Sequence, residues 1–173
     1  MTEKRRFSII RFIGCGGEFY QSMDYEEGTV LSGYFDRSPR CGKDELFRWM
    51  KEAGQALLML KKSEGGSLCD AVTPEAFLMT ESRELFFLDS WPQRKTQNPA
   101  EVCGMLKGIG TIWKFMLEKS KPVPELTLGE IYRFSRMISI CNKKQSKGYH
   151  SVKEEDILSE LLKKIPNLKY EDN

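Results

Sequence analysis

Three glycines near the start of the chain have the spacing of a loop that could approach phosphate groups. Gly14, Gly16 and Gly17 lie between two segments that the sequence predicts to be strands. Dinucleotide and P-loop sites place the N-terminus of a helix directly after such a loop, and the helix amides bind the phosphate. Because a strand follows here, neither site fits, and a tight hairpin explains the glycines without a ligand.

Two aspartates supply carboxylates that could take part in catalysis. Asp70 precedes a short predicted hairpin and Asp89 ends it. Asp70 and Glu75 could act as a pair in acid–base chemistry, although surface loops commonly carry such pairs. Trp91, just after the hairpin, and Tyr149, in a lysine-containing loop, are candidates for protein contacts because aromatic side chains dominate interfaces.

The five cysteines do not have the spacing of a disulfide framework or a metal site. Their number is odd, no C-x-x-C pair occurs, and His150 is the only histidine. A zinc site or a Cys–His nucleophile is therefore not indicated. We expect reduced thiols and a cytoplasmic location, since reducing compartments keep cysteines free.

The composition is that of a globular domain. The chain has 173 residues, of which 40% are hydrophobic and 30% charged, with a formal net charge of +2. This length fits one domain, and the small net charge gives no basic field that would indicate nucleic-acid binding. No run of apolar residues is long enough to predict a membrane span.

Hydrophobic periodicity predicts an α+β fold in which strands come in antiparallel pairs. A strand over residues 7–13 precedes a hairpin with strands at 18–23 and 29–35 and a turn at 24–28, and a second hairpin spans 76–89. An amphipathic helix is predicted from Asp44 to Lys62, and three helices follow Asn98. Two of these three begin at the capping boxes 127–130 and 151–154.

The segment from Leu68 to Trp91 resembles the catalytic segment of protein kinases, a loop of the form H-R-D-x-K-P-E-N followed by a hairpin and D-F-G. Pro74 and Glu75 match the Pro-Glu pair, and Asp89 matches the D-F-G aspartate. The glycine cluster between strands is similar to the kinase nucleotide flap. Over residues 7–118 the chain resembles the truncated, kinase-like cytoplasmic domain of the type VII secretion component EssB and related Firmicute domains.

This resemblance implies a reduced two-lobe fold that forms one compact unit. Residues 1–42 would form a small N-lobe with a β-hairpin, and residues 43–173 a helical C-lobe with a short β-hairpin. The nucleotide-binding positions implied by the resemblance are Gly14, Gly16, Gly17 and Asp89, the last of which is also the metal-binding position.

Most residues that phosphoryl transfer needs are missing from the matching positions. The base aspartate falls on Ala71, the catalytic-loop lysine on Thr73 and the metal-binding asparagine on Ala76. No lysine occurs in residues 29–35, where the family places its phosphate-pairing residue. The resemblance therefore implies a pseudokinase, with no catalytic residues and no cofactor.

Three hypotheses follow for the function. The preferred one is a catalytically inactive, kinase-like scaffold that binds a protein partner of unknown identity, for which residues 120–169 could supply the surface. A homodimer is a separate expectation. The second is a divergent phosphotransferase that uses Asp70 and Asp89 with ATP and Mg²⁺. The third is an unrelated α+β adaptor, which a single continuous sheet containing both hairpins would support.

Overall fold

Paired strands and helices follow one another along the chain, and the α+β prediction is confirmed. The computed structural model describes residues 6–15, 18–37, 41–63, 73–88, 105–120, 126–142 and 151–166. The elements in these ranges are β1 (Arg6–Cys15), β2 (Glu18–Val30), α1 (Leu31–Arg37), α2 (Lys43–Ser63), β3 (Phe77–Thr80), β4 (Leu85–Leu88), α3 (Met105–Lys119), α4 (Leu128–Asn142) and α5 (Ser151–Lys163).

All four described strands belong to one antiparallel sheet that closes on itself. β1 and β2 form a long hairpin whose register runs from Arg6 opposite Glu27 to Cys15 opposite Glu18. β3 and β4 form a second, shorter hairpin. The hairpins are joined twice, because β1 pairs with β4 and β2 pairs with β3, so the order is β1-β2-β3-β4 around the closed sheet. A two-lobe, kinase-like arrangement is not confirmed.

Alternation along the short strands divides their side chains between two clusters. One face of the sheet joins the main core, where the rings of Phe77 and Phe87 stack with centroids 4.5 Å apart. The other face forms a separate small cluster around Ile9, Leu78 and Leu88. Both faces of β3 and β4 are therefore apolar, which explains why these strands read as continuous hydrophobic runs.

The prediction of the first hairpin is wrong for its turn and its second strand. β2 continues without a turn through residues 24–28, and the segment from Leu31 is helix α1 instead of a strand. Arg11 on β1 forms ion pairs with Asp24 and Glu26 on β2, which favour the extended conformation across the expected turn. In α1, helical spacing brings Tyr34 and Phe35 together against the ring of Trp49.

Helix α2 is the central element of the main core, and its predicted bounds are confirmed to within one residue. Its inward side chains, Leu46, Trp49, Met50, Ala53 and Leu57, are fully buried. The Trp113 side chain on α3 is also fully buried, and its indole N–H donates a hydrogen bond to the carbonyl oxygen of Met50 at 2.9 Å.

The turn between β3 and β4 is attached to α2 through Arg83. The carbonyl oxygen of Arg83 accepts hydrogen bonds from the Trp49 indole at 2.9 Å and from the Arg48 guanidinium at 2.8 Å. Its own guanidinium lies 3.0 Å from a carboxylate oxygen of Glu45. Arg83 adopts a left-handed backbone conformation with φ of 66°, which costs roughly 1 kcal/mol for a residue other than glycine and which these contacts offset.

Helices α3 and α4 approach each other closely at Gly110, where a Cβ atom would lie 2.7 Å from the Cβ of Cys141. The tight contact at Gly110 sets the spacing at one end of the α3–α4 pair.

Candidate functional site

Most of the candidate site residues lie outside the described part of the chain. Gly16, Gly17, Asp70 and Asp89, and the aromatic candidates Trp91 and Tyr149, belong to this group. Gly14 is described and lies in β1 opposite Phe19. The described residues therefore bring none of these candidates together, and their roles stay predictions.

Several positions carried over from the kinase pattern are described, and Thr73 directly precedes a 3-10 turn formed by Pro74–Ala76. Ala76 ends a 3-10 turn and is fully buried in the main core, so the position of the metal-binding asparagine holds a packed methyl group. Residues 29–35, where the resemblance places a strand with the phosphate-pairing lysine, form the end of β2 and most of α1.

A partly apolar groove lies between α3 and α4. Its volume is about 570 Å³. The apolar part of its lining comes from α3, from α4 and from the residue that precedes the α4 cap: Leu117, Leu126, Ile131, Phe134 and Ile138. Its polar lining residues are Lys114, Glu118, Ser135 and Asn142.

Helix α4 carries two apolar stripes, and only one of them is buried. Phe134, Met137 and Cys141 face the main core. Leu128, Ile131 and Tyr132 remain 85%, 46% and 65% exposed. Ile131 lines the groove, Leu128 lies three residues before it on the same helix, and Tyr132 lies one residue after it. The groove is therefore continuous with a row of exposed apolar side chains.

A predicted capping box fixes the start of α4. The Glu130 amide donates to the Thr127 hydroxyl at 3.1 Å, and the Thr127 amide donates to the Glu130 carboxylate at 2.9 Å. Lys43, the first residue of α2, forms an ion pair with the same carboxylate at 2.7 Å. Burial alone would raise the pKa of Glu130, but the hydrogen bonds from Lys43 and Thr127 outweigh it and hold the pKa below its usual value.

Charged residues of both signs stand on the α3 wall of the groove. Lys114 and Glu118 lie one helical turn apart, with their charged atoms 4.0 Å from each other, and each side chain is more than half exposed. Such an exposed pair contributes little to the stability of the monomer. Both charges therefore remain available to a molecule bound in the groove.

The two described cysteines outside the strands are not nucleophiles. Cys41 and Cys141 are free and buried. Burial raises the pKa of both thiols, that of Cys141 to about 12. Since the thiolate is the reactive form, these two side chains act as apolar core residues.

A second, smaller concavity of about 370 Å³ lies between α2 and the sheet, and Glu52 lines it together with Arg11, Gln55 and Phe86. The Glu52 carboxylate accepts a hydrogen bond from the Leu85 amide at 3.1 Å. Burial raises the pKa of Glu52, although that hydrogen bond and the nearby Arg48 charge oppose the rise.

The raised pKa of Glu52 predicts a pH-dependent stability. The folded state holds this proton more tightly than the unfolded state, so the contribution of Glu52 is fully present below its unfolded pKa and is lost as pH rises through the folded pKa. Glu52→Gln keeps an acceptor for the Leu85 amide and removes the titration. We expect the difference in unfolding free energy, variant minus wild type, to increase between pH 4 and pH 7 in urea titrations.

Gln55→Ala is the matched control, because Gln55 lines the same concavity and does not titrate. Its difference from wild type should stay constant over this pH range. A constant difference for Glu52→Gln as well would contradict the raised pKa.

No group of three or more metal-ligating side chains occurs among the residues that the structure describes. None of the helices in the described ranges combines the length and apolar character needed to cross a membrane. No protein-family model matches the chain, and comparisons with curated proteins and with solved structures also found no match.

Residues 120–169 were expected to supply a partner surface, and this stays a prediction. The α4 side of the groove and the exposed row fall within this range, whereas the α3 side lies outside it. Leu128, Ile131 and Tyr132 follow the three- and four-residue spacing of a helix face, a signal present in the sequence. That spacing does not tell which of two apolar stripes faces the core.

Proposed function

We propose that the protein is a non-catalytic binding module of α+β fold whose contact surface is the groove between α3 and α4. The observation that carries this proposal is the row Leu128, Ile131 and Tyr132, which is exposed beside an apolar groove. Exposed apolar side chains that adjoin a concavity are typical of protein-interaction surfaces, since isolated monomers seldom leave such patches uncovered.

The chemistry of the groove favours a protein over a small ligand. Small-ligand sites place a few polar groups inside a cavity that encloses most of the ligand. Here the lining is chiefly aliphatic and aromatic, and the charged residues Lys114 and Glu118 are exposed on the wall. An apolar centre with a polar rim is the usual composition of a protein interface, and paired helices commonly receive an amphipathic helix.

Of the two non-enzymatic hypotheses, the unrelated adaptor has the stronger structural support. A kinase-like molecule separates the flap hairpin from the catalytic-loop hairpin by a cleft between lobes. Among the described strands, β1 pairs with β4 and β2 pairs with β3. This supports a single closed sheet as the organising unit of the fold. The order of a glycine-linked hairpin, long helix and short hairpin is what supports the kinase-like hypothesis.

The phosphotransferase hypothesis gains no support from the described residues. It requires Mg²⁺-dependent ATP binding that Asp89→Ala abolishes. Neither Asp70 nor Asp89 is described, and the position expected for the phosphate-pairing lysine falls within the end of β2 and α1.

Site-directed photocrosslinking tests the binding function. Benzoylphenylalanine placed at Ser135, an exposed groove residue, should form a covalent adduct with a protein after irradiation in the native host. The same probe at Ser159, an exposed serine on α5, is the matched control. A discrete adduct from Ser135 that Ser159 does not give would support the groove as the contact surface. Equal labelling, or none, would count against the proposal.

A further inference from the structure

We propose that the occupant of the α3–α4 groove is a second copy of this chain, paired about a two-fold axis that makes the two α3 helices antiparallel. This inference rests on the proposed binding function of the groove and names its partner. A two-fold interface uses the same surface on both subunits, so that surface must be complementary to itself. The α3–α4 surface meets this requirement in the placement of its charged and its apolar side chains.

The charge pattern on α3 is complementary to its own antiparallel copy. Lys114 and Glu118 stand on the groove wall, one turn apart, and both are exposed. When two such helices face each other in opposite directions about an axis near residue 116, Lys114 of each copy lies opposite Glu118 of the other. The wall has no net charge, so it offers no electrostatic preference for an acidic or a basic partner.

Apolar side chains that a partner could cover lie near both ends of α4, so an antiparallel copy can place one end over the other. Leu128 is 85% exposed at the start of the helix. Ile138 lines the groove near its end. Antiparallel pairing lays Leu128 of one copy over the groove end lined by Ile138 of the other copy. Each subunit then covers apolar surface on the other, and burial of that surface stabilises the pair.

Charge-reversal substitutions at Lys114 and Glu118 test this proposal. Light scattering after gel filtration, together with sedimentation equilibrium, should show that the wild-type chain is a dimer. Lys114→Glu and Glu118→Lys each create two like-charge contacts per dimer, so each should weaken dimerisation by at least about tenfold. Circular dichroism and thermal unfolding serve as folding controls, because both side chains are exposed and neither change should affect the fold of the monomer.

Restoration of the opposite charges distinguishes a direct contact from an indirect effect. An equimolar mixture of Lys114→Glu with Glu118→Lys should form a heterodimer, and the double variant should form a homodimer, because each Glu again faces a Lys. A dimer that neither single variant weakens would overturn the proposal by placing the interface elsewhere. Failure of both recombinations would also overturn it.

A wild-type chain that stays monomeric at about 100 μM would overturn the second copy as occupant. The adduct from Ser135 then decides the wider proposal. An adduct with a different protein would support the binding function and show that the partner is not a second copy. The absence of any adduct from position 135 would contradict both the binding function and the dimer. An adduct with the mass of two chains, together with a concentration-dependent dimer, supports both.

Discussion

Replacing Trp113 with alanine should lower the free energy of unfolding by about 3–5 kcal/mol, the range for large aromatic truncations in a core. The indole is fully buried and its N–H donates to the Met50 carbonyl in the middle of α2. Trp113 therefore attaches α3, one wall of the groove, to the central helix. Urea unfolding followed by circular dichroism measures the loss as a lower midpoint.

Trp113→Phe keeps this prediction testable if the alanine variant fails to fold. Phenylalanine retains most of the buried ring but has no N–H, so the expected loss is smaller, roughly 1–2 kcal/mol. The free energy of unfolding should decrease in the order wild type, Trp113→Phe, Trp113→Ala. A loss below about 1 kcal/mol for alanine would be incompatible with a fully buried indole at a helix–helix contact.

Elements whose local signals agree with their packing could be predicted from the sequence. For α2, the apolar stripe, the acidic first turn and the lysines near the end all indicate one helix, and its bounds match. The capping box at Thr127 and Glu130 forms both of its expected hydrogen bonds. In these places propensity, capping and burial favour the same conformation, which is the condition for a reliable local prediction.

Where contacts with residues distant in sequence determine the secondary structure, the local sequence signals were misleading. Asp24 to Gly28 has the composition of a turn, but Arg11 on the neighbouring strand pairs with Asp24 and Glu26. Tyr34 and Phe35 have β propensity, but a helix places both rings on Trp49. Neither the ion pairs nor the aromatic contacts can be read from sequence spacing, because their partners are more than ten residues away.

The candidate site shows the same limit. Both stripes of α4 consist of apolar side chains, so the sequence alone does not tell which stripe faces the core. The assignment depends on where α3 and α2 lie, and the Gly110–Cys141 contact together with the Lys43–Glu130 ion pair fixes α4 against both. Which apolar stripe of α4 stays exposed is therefore known only after the helices have been placed.

Replacing Gly28 with alanine should lower the free energy of unfolding by an amount near the upper end of about 1–3 kcal/mol, which is the range for overpacked sites. Gly28 pairs with Thr80 where β2 meets β3. A Cβ atom at this position would overlap the Met79 carbonyl oxygen and lie 2.9 Å from the Thr80 Cα. These are backbone atoms, so the clash is relieved only if the two strands separate.

Gly33→Ala is the matched control, because a Cβ there meets nothing within 4 Å and the residue lies in α1. Alanine is the better helix former by roughly 1 kcal/mol, so this variant should be as stable as wild type or more stable. Amide hydrogen exchange adds a local readout. The amides of β3 should lose protection in Gly28→Ala and keep it in Gly33→Ala.

The amide hydrogen-exchange result also distinguishes the kinase-like hypothesis from the unrelated adaptor. In a two-lobe molecule the first hairpin and the β3–β4 hairpin would belong to different lobes, and a change at Gly28 would leave the β3 amides protected. In a closed sheet the β2–β3 contact is one of two joints between the hairpins, so its opening exposes β3 directly. Protected β3 amides in Gly28→Ala would therefore favour the kinase-like hypothesis. Their loss would favour an adaptor in which the sheet supports α2, and α2 in turn supports the two helices that form the groove.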